Sequence, residues 1–202
     1  MLRIDEKPYK KGEQCMGFLE NILEDSPIVA AVKDESGLEQ CLNIPCRVVF
    51  VLFGDLNSVP GIVAKLKASG KTVFVHADLV EGLSAREAAV DYLVQTAQPD
   101  GIISTRLPLL RFAKAKGLHT ILRFFLIDSI AMENITSMKN ERCVDMIEVM
   151  PGLMPKIVKR VSASCGKPII AGGLVTEKSD VVSALEAGAI AVSSTNIGVW
   201  SM

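Results

Sequence analysis

Pro168-Ile-Ile-Ala-Gly-Gly173 and Ala189-Ile-Ala-Val-Ser-Ser-Thr-Asn196 each carry a short apolar run into residues rich in polar donors. Gly172 and Gly173 have no Cβ, so a ligand can approach their main-chain N–H groups. Ser193, Ser194, Thr195 and Asn196 add hydroxyl and amide donors. Between the two runs, Glu177 to Ala187 is amphipathic and of helical length. The order is strand, glycine loop, helix, strand, polar loop. In a (β/α)8 barrel the loops after strands 7 and 8 form the usual phosphate site. Taken alone, the same residues also fit a tight turn and a helix N-cap. Their place at the end of a repeated pattern favours a phosphate cradle.

That pattern recurs at intervals of roughly twenty to thirty residues, as repeated supersecondary units do. Apolar runs rich in Val, Ile and Phe lie at 28–32, 48–53, 72–77, 101–104, 120–125, 144–149, 168–171 and 189–193. Amphipathic stretches separate them, near 35–42, 57–69, 84–97, 107–116, 128–140, 153–164 and 177–187. Gly70, Gly117, Gly166 and Gly188 close several of these, as left-handed helix caps do. Alternation of this kind predicts a parallel sheet covered by helices, and eight repeats predict a closed TIM-type barrel. Residues 1–202 are read as one domain, a lead-in and helix over 1–26 and the barrel over 27–202. The N-terminal helix, Glu13 to Glu24, sets Cys15, Phe18, Leu19 and Ile22 on one face. It is expected to cap an end of the barrel or to replace part of a truncated eighth helix.

Composition narrows the functional classes. The 202 residues are 49% hydrophobic and 22% charged, which suits a large core. Net charge is −1, so no global basic bias marks a nucleic-acid binder. The five cysteines are scattered, odd in number and without C-x-x-C spacing, which points to a reducing cytoplasm. No signal peptide or membrane span is expected.

Strand parity sorts barrel interior from helix side. In the third strand Thr72, Phe74, His76 and Asp78 share the inward parity, with His76 and Asp78 at the upper rim. Arg123 of the fifth strand and Glu148 of the sixth sit at similar heights and are placed to pair inside the mouth. Other strand ends supply Lys33-Asp34, Asp55 and Ser104-Thr105-Arg106. Each has a plainer explanation: Arg123 with Glu148 as a self-satisfied buried pair, His76 bonded to Asp78, Asp34 and Asp55 as helix starts, and Ser84-x-x-Glu87 as a capping box. The expected ligand set is Lys33, Asp55, His76, Asp78, Arg123, Glu148, Gly172, Gly173, Ser193, Ser194 and Thr195. No metal site is expected, since His76 and His119 lie at opposite rims. No strand interior offers the buried lysine of a Schiff-base aldolase. Acid–base chemistry through Glu148, His76 and Asp78 stays open.

Several strand ends together resemble one family: Ala30-Ala-Val-Lys-Asp34, Leu52-Phe-Gly-Asp55, Val75-His-Ala-Asp-Leu-Val-Glu-Gly-Leu-Ser84, Asp100-Gly-Ile-Ile-Ser-Thr105, Arg123-Phe-Phe-Leu-Ile-Asp-Ser129, Ile147-Glu-Val-Met-Pro-Gly-Leu-Met-Pro-Lys156, Ile169-Ile-Ala-Gly-Gly-Leu174 and Ala189 to Asn196. This ordered set is similar to the bacterial glycerol uptake operon antiterminator regulatory proteins. The resemblance implies a barrel that senses glycerol 3-phosphate and acts on leader mRNA of glycerol-use genes, with no cofactor and no catalytic residues carried over. RNA binding calls for a basic footprint. Lys156, Lys159 and Arg160 at i, i+3 and i+4 form one candidate face, and Arg111, Lys114 and Lys116 another. A homodimer would concentrate either patch. The plainer reading is cations complementing helix C-termini. The competing functional class is an isomerase or lyase acting on a small phosphorylated metabolite.

Overall fold

Strands buried on both faces need helices outside them and side chains inside, and the chain supplies both. The structure, a computed structural model, describes residues 14–202. Eight strands close a parallel barrel in sequence order: β1 (Ile28–Val32), β2 (Val48–Val51), β3 (Thr72–His76), β4 (Gly101–Ser104), β5 (His119–Phe125), β6 (Met146–Met150), β7 (Ile169–Gly172) and β8 (Ala191–Ser194). The outer helices are α2 (Glu35–Cys41), α3 (Val59–Ala68), α4 (Glu87–Tyr92), α5 (Leu107–Ala115), α6 (Ser129–Ser137), α7 (Pro155–Ser164) and α8 (Lys178–Glu186). The helix-to-strand turns pass through the left-handed region at Gly70, Gly117, Gly166 and Gly188.

The core has two parts, divided by strand parity. Ala30, Val32, Val49, Val51, Val73 and Val75 belong to the layer between strands and helices. Val29, Ala31, Val48, Phe50, Phe74, Ile103, Ile121, Met146, Ile170 and Ala191 fill the interior. The N-terminal helix α1 (Gln14–Asp25) belongs to the inner cluster. It buries Leu19, Ile22 and Leu23 against the interior side chains at the end where the strands begin. Of the two expected roles for this helix, the cap is the one observed. The side chains of Cys15 and Phe18 lie outside the described residues.

The place of the eighth outer helix is taken by α9 (Ile197–Trp200), a single turn. Trp200 is buried beside α2 and donates from Nε1 to the Ser194 carbonyl at 2.6 Å. One large indole thus covers the seam between β8 and β1. The start of α4 differs from expectation. The backbone at Arg86 is extended, with φ −122° and ψ 164°. Ser84 therefore lies too far upstream to reach the first free N–H, and no Ser84–Glu87 capping box forms. The 84–97 stretch becomes α4 followed by a wide π turn over Leu93–Ala97.

The lower end also holds an ion pair with a buried carboxylate. Lys114 Nζ meets Asp145 Oδ1 at 2.6 Å, and Asp145 accepts from Thr120 N at 3.0 Å. The four described cysteines are buried free thiols, and burial pushes Cys41 up to about 11, as suits core residues rather than reactive ones.

If α1 is a true plug, Leu23→Ala should lower unfolding free energy by about 3 kcal/mol, the usual cost of a buried Leu truncation. Denaturant melts that leave stability unchanged would show that the helix merely lies against the barrel.

Candidate functional site

Glu148 lies at the centre of the upper half of the barrel, with only 1% of its surface exposed. The parallel register sets Arg123 directly beside it on β5. Arg123 Nε donates to Glu148 Oε2 at 2.6 Å, and Ser193 Oγ donates to Oε1 at 2.5 Å. Strands 5, 6 and 8 thereby meet at one carboxylate. The expected pairing inside the mouth is present. Both Glu148 oxygens are engaged, an arrangement suited to holding a charge in place rather than passing protons.

Gly172 explains how these groups fit. A Cβ there would sit 2.5 Å from Ser193 Oγ and 2.6 Å from Glu148 Oε1. The Glu148–Ser193 hydrogen bond occupies the space that a side chain at Gly172 would need. Gly173, by contrast, faces the cavity and has φ +78°. Leu174 follows at φ +63° and is 71% exposed. A bulky residue held in that region stores strain.

Above the carboxylate is a cavity of about 250 Å³. Arg123, Glu148, Gly173, Ser193, Ser194 and Thr195 all line it, so six of the expected ligand residues converge. Ala31, Leu52, Met150, Leu174, Val175 and Thr176 complete the wall. Sequence reasoning misses these: most are apolar and look like core, and Thr176 lies in the loop beyond β7. Not every hydroxyl is available to a ligand. Ser194 Oγ donates to the Val175 carbonyl at 2.7 Å and accepts from Asn196 N at 3.0 Å. Thr195 is exposed.

Of the remaining expected residues, Lys33, Asp55 and Asp78 sit elsewhere on the rim, while His76 is buried below it. Asp78 accepts from Ser104 Oγ at 2.8 Å and from Thr105 N and Oγ1 at 2.7 Å. Burial pushes its carboxyl up, but those bonds outweigh burial and hold it below the usual range. The alternative His76–Asp78 hydrogen bond does not form, because Asp78 turns to the β4 end instead. His76 is 2% exposed, and its Nδ1 is buried without a hydrogen-bond partner. Burial, reinforced by the Arg123 charge, lowers its pKa from 6.5 to about 4. Asp55 accepts from Asn57 N and Ser58 N, both at 2.8 Å, and so organises the turn into α3. Asp34 caps α2 through Gly37 N at 2.8 Å. Lys33 is exposed at the end of β1. Among the described residues no group of three or more His, Cys, Asp or Glu side chains could hold a metal ion.

The basic candidates separate cleanly. Arg111 pairs with Glu141 at 2.8 Å, Lys114 with Asp145 at 2.6 Å and Lys116 with Asp91 at 2.6 Å. Lys156, Lys159 and Arg160 are exposed on α7.

Comparison with known proteins gives this geometry a family. A family profile described as "Glycerol-3-phosphate responsive antiterminator" matches residues 28–200. The chain belongs to the glycerol-3-phosphate responsive antiterminator family. That family is regulatory rather than enzymatic. The crystal structure of the glycerol uptake operon antiterminator regulatory protein from Listeria monocytogenes is 34% identical, with a TM-score of 0.81 over 86% of this chain and 94% of that one. A glycerol uptake operon antiterminator-related protein from Thermotoga maritima is 33% identical, with a TM-score of 0.77 over 88% of this chain and 99% of that one. The uncharacterized protein YgcP of Escherichia coli K12 is 40% identical over 182 residues, which are 90% of this chain and 95% of its own. Deoxyribose phosphate aldolase from Aeropyrum pernix shares the barrel at 12% identity and a TM-score of 0.66 over 96% of this chain and 97% of that one, a likeness of fold alone. No helix among the described residues is long and apolar enough to cross a membrane.

Two expected outcomes follow from the buried groups. Gly172→Ala should break the Ser193–Glu148 bond and cost about 1–3 kcal/mol through overpacking; an unchanged melting curve would show that the carboxylate has room to move. His76 is neutral when folded, so between pH 6.5 and about 4 the unfolded chain binds the extra proton. Stability contributed by His76 is therefore present above 6.5 and lost as pH falls through that window. Wild type should lose more stability there than His76→Asn, read as the difference between their pH–stability curves.

Proposed function

We propose that this chain binds glycerol 3-phosphate in the mouth of its barrel and, in response, promotes antitermination by acting on the leader mRNA of glycerol-utilisation genes. The observation that carries the proposal is the convergence of the loops after β7 and β8 with Arg123 on one small cavity. Phosphate sites in this fold are commonly built from those two loops. Gly173 gives an anionic group access to the main chain, and Thr195 adds a hydroxyl. Arg123 uses Nε for Glu148, which leaves its two terminal nitrogens for an anion or a hydroxyl oxygen. His76 offers a neutral imidazole lower in the barrel. Lys33, Asp55 and Asp78 form an outer rim in this reading. At about 250 Å³ the cavity falls just below the usual ligand range of roughly 300–1,000 Å³ and suits a small metabolite.

No cofactor enters this reading. It places the protein in the cytoplasm with its transcript, and a homodimer would present two RNA-binding faces at once. Membership of a regulatory family and a Glu148 tied at both oxygens favour it over an isomerase or lyase.

Titration calorimetry tests the site, with glycerol and inorganic phosphate as comparisons. Thr195→Val keeps shape but removes a donor, and should weaken glycerol 3-phosphate binding about tenfold, the scale of one hydrogen bond to a charged group. Gly173→Val is a coarser probe. Its Cβ would lie 2.7 Å from Met150 Cε, and the φ of +78° strains any side chain, so part of its effect reports backbone cost rather than cradle blockage. Equal binding by wild type and Thr195→Val would remove that loop from the site. Gel retardation of leader RNA, with and without glycerol 3-phosphate, tests the action on RNA; no retardation at low salt in either condition would sink it.

A further inference from the structure

The two basic helices differ in a way the sequence conceals. On α5 the cations have partners: Arg111 with Glu141 and Lys114 with Asp145, while Lys116, just beyond the helix, pairs with Asp91. Lys114 also lies in the last turn, where the helix dipole favours a cation. Both structural explanations therefore hold there.

Neither holds on α7. Its sequence, Pro-Lys-Ile-Val-Lys-Arg-Val-Ser-Ala-Ser, has no acidic residue and no basic residue in its last turn. Lys156 is its second residue, at the end where the dipole disfavours a cation. Lys159 and Arg160 lie three and four residues on, so the three charges share a face and repel one another. All three are exposed, and none makes an ion pair among the described residues. No ion pair among the described residues compensates this charge, and a polyanion outside the fold would complement it.

A groove of about 450 Å³ runs between α6 and α7 beside those cations. Met132, Met154 and Ile157 give it apolar walls, and Arg160 forms part of its α7 side. Ile127, at its rim, is 82% exposed. Two acids also line it. Asp128 caps α6 by accepting from Ala131 N at 2.8 Å, while Glu133 on α6 repels phosphate and so directs a bound backbone toward the α7 side. A positive edge beside an apolar trough fits single-stranded nucleic acid, with phosphates on the edge and unpaired bases in the trough.

This face is joined to the effector cavity. The β6–α7 connection contains Gly152, whose N–H donates to the Gly172 carbonyl at 2.5 Å and approaches the Gly173 carbonyl at 3.2 Å. A ligand that shifts the loop after β7 therefore acts on the segment leading into α7.

We propose that α7, together with the groove it forms against α6, is the RNA-binding face, with phosphates along Lys156, Lys159 and Arg160 and unpaired bases against Met132, Met154 and Ile157. The assignment rests on the reading that the protein acts on RNA. The test measures binding of a glycerol-operon leader transcript across a salt series. Lys156→Gln, Lys159→Gln and Arg160→Gln together should weaken binding at least tenfold. They should also flatten the log K against log salt slope by about two to three, at roughly 0.7–0.9 for each phosphate that is no longer neutralised. The same triple variant should bind glycerol 3-phosphate like wild type, which shows that the barrel is intact. Arg111→Gln with Lys116→Gln should leave RNA affinity unchanged. Wild-type affinity and slope in the triple variant would overturn the assignment and leave α7 to an acidic protein. Wild-type protein that binds no leader RNA would instead overturn the reading beneath it.

Discussion

A carboxylate removed from water inside a barrel is the constraint around which the upper half of this molecule is arranged. Glu148 is almost completely buried, and burying an unpaired charge costs several kcal/mol. Arg123 on β5 and Ser193 on β8 meet that demand from opposite sides. β7 lies between Glu148 and Ser193 in the sheet, and their hydrogen bond can pass only because Gly172 has no side chain. The cost of a misplaced atom there explains why a glycine is needed at this strand end beside the cavity.

The two ends of the barrel solve different problems. Below, Leu19, Ile22 and Leu23 complete an apolar interior, and Lys114 with Asp145 closes the outer layer. Above, side chains stop short of filling the mouth. The result is an apolar floor beneath a small cavity lined by both polar and apolar side chains. The two sets of cations also differ: those of α5 are paired with Glu141 and Asp145, whereas those of α7 are exposed and form no ion pair among the described residues.

Much of this was legible in the residue pattern. The β/α alternation foretold a closed barrel, and period-two parity set Arg123 beside Glu148 with no knowledge of their distance. It also turned Phe74 and His76 inward. Other features were hidden because their partners are remote in the chain. Glu141 and Asp145 neutralise Arg111 and Lys114 across about thirty residues. Asp78 could have bonded His76, two positions away, but reaches Ser104 and Thr105 instead. The hydroxyls of Ser193 and Ser194 looked free for a ligand, yet each is held by a neighbouring element.

The chain's order of apolar runs, glycines and polar strand ends was enough to determine the barrel, its inward-facing residues and the end at which polar residues gather around a cavity. Those properties arise from local periodicity, which each segment carries by itself. Which donors remain open, which cations are already paired and why Gly172 must be a glycine were decided only when distant segments came together. Hydrogen bonds and ion pairs act over a few ångströms, and separation along the chain does not reveal separation in space.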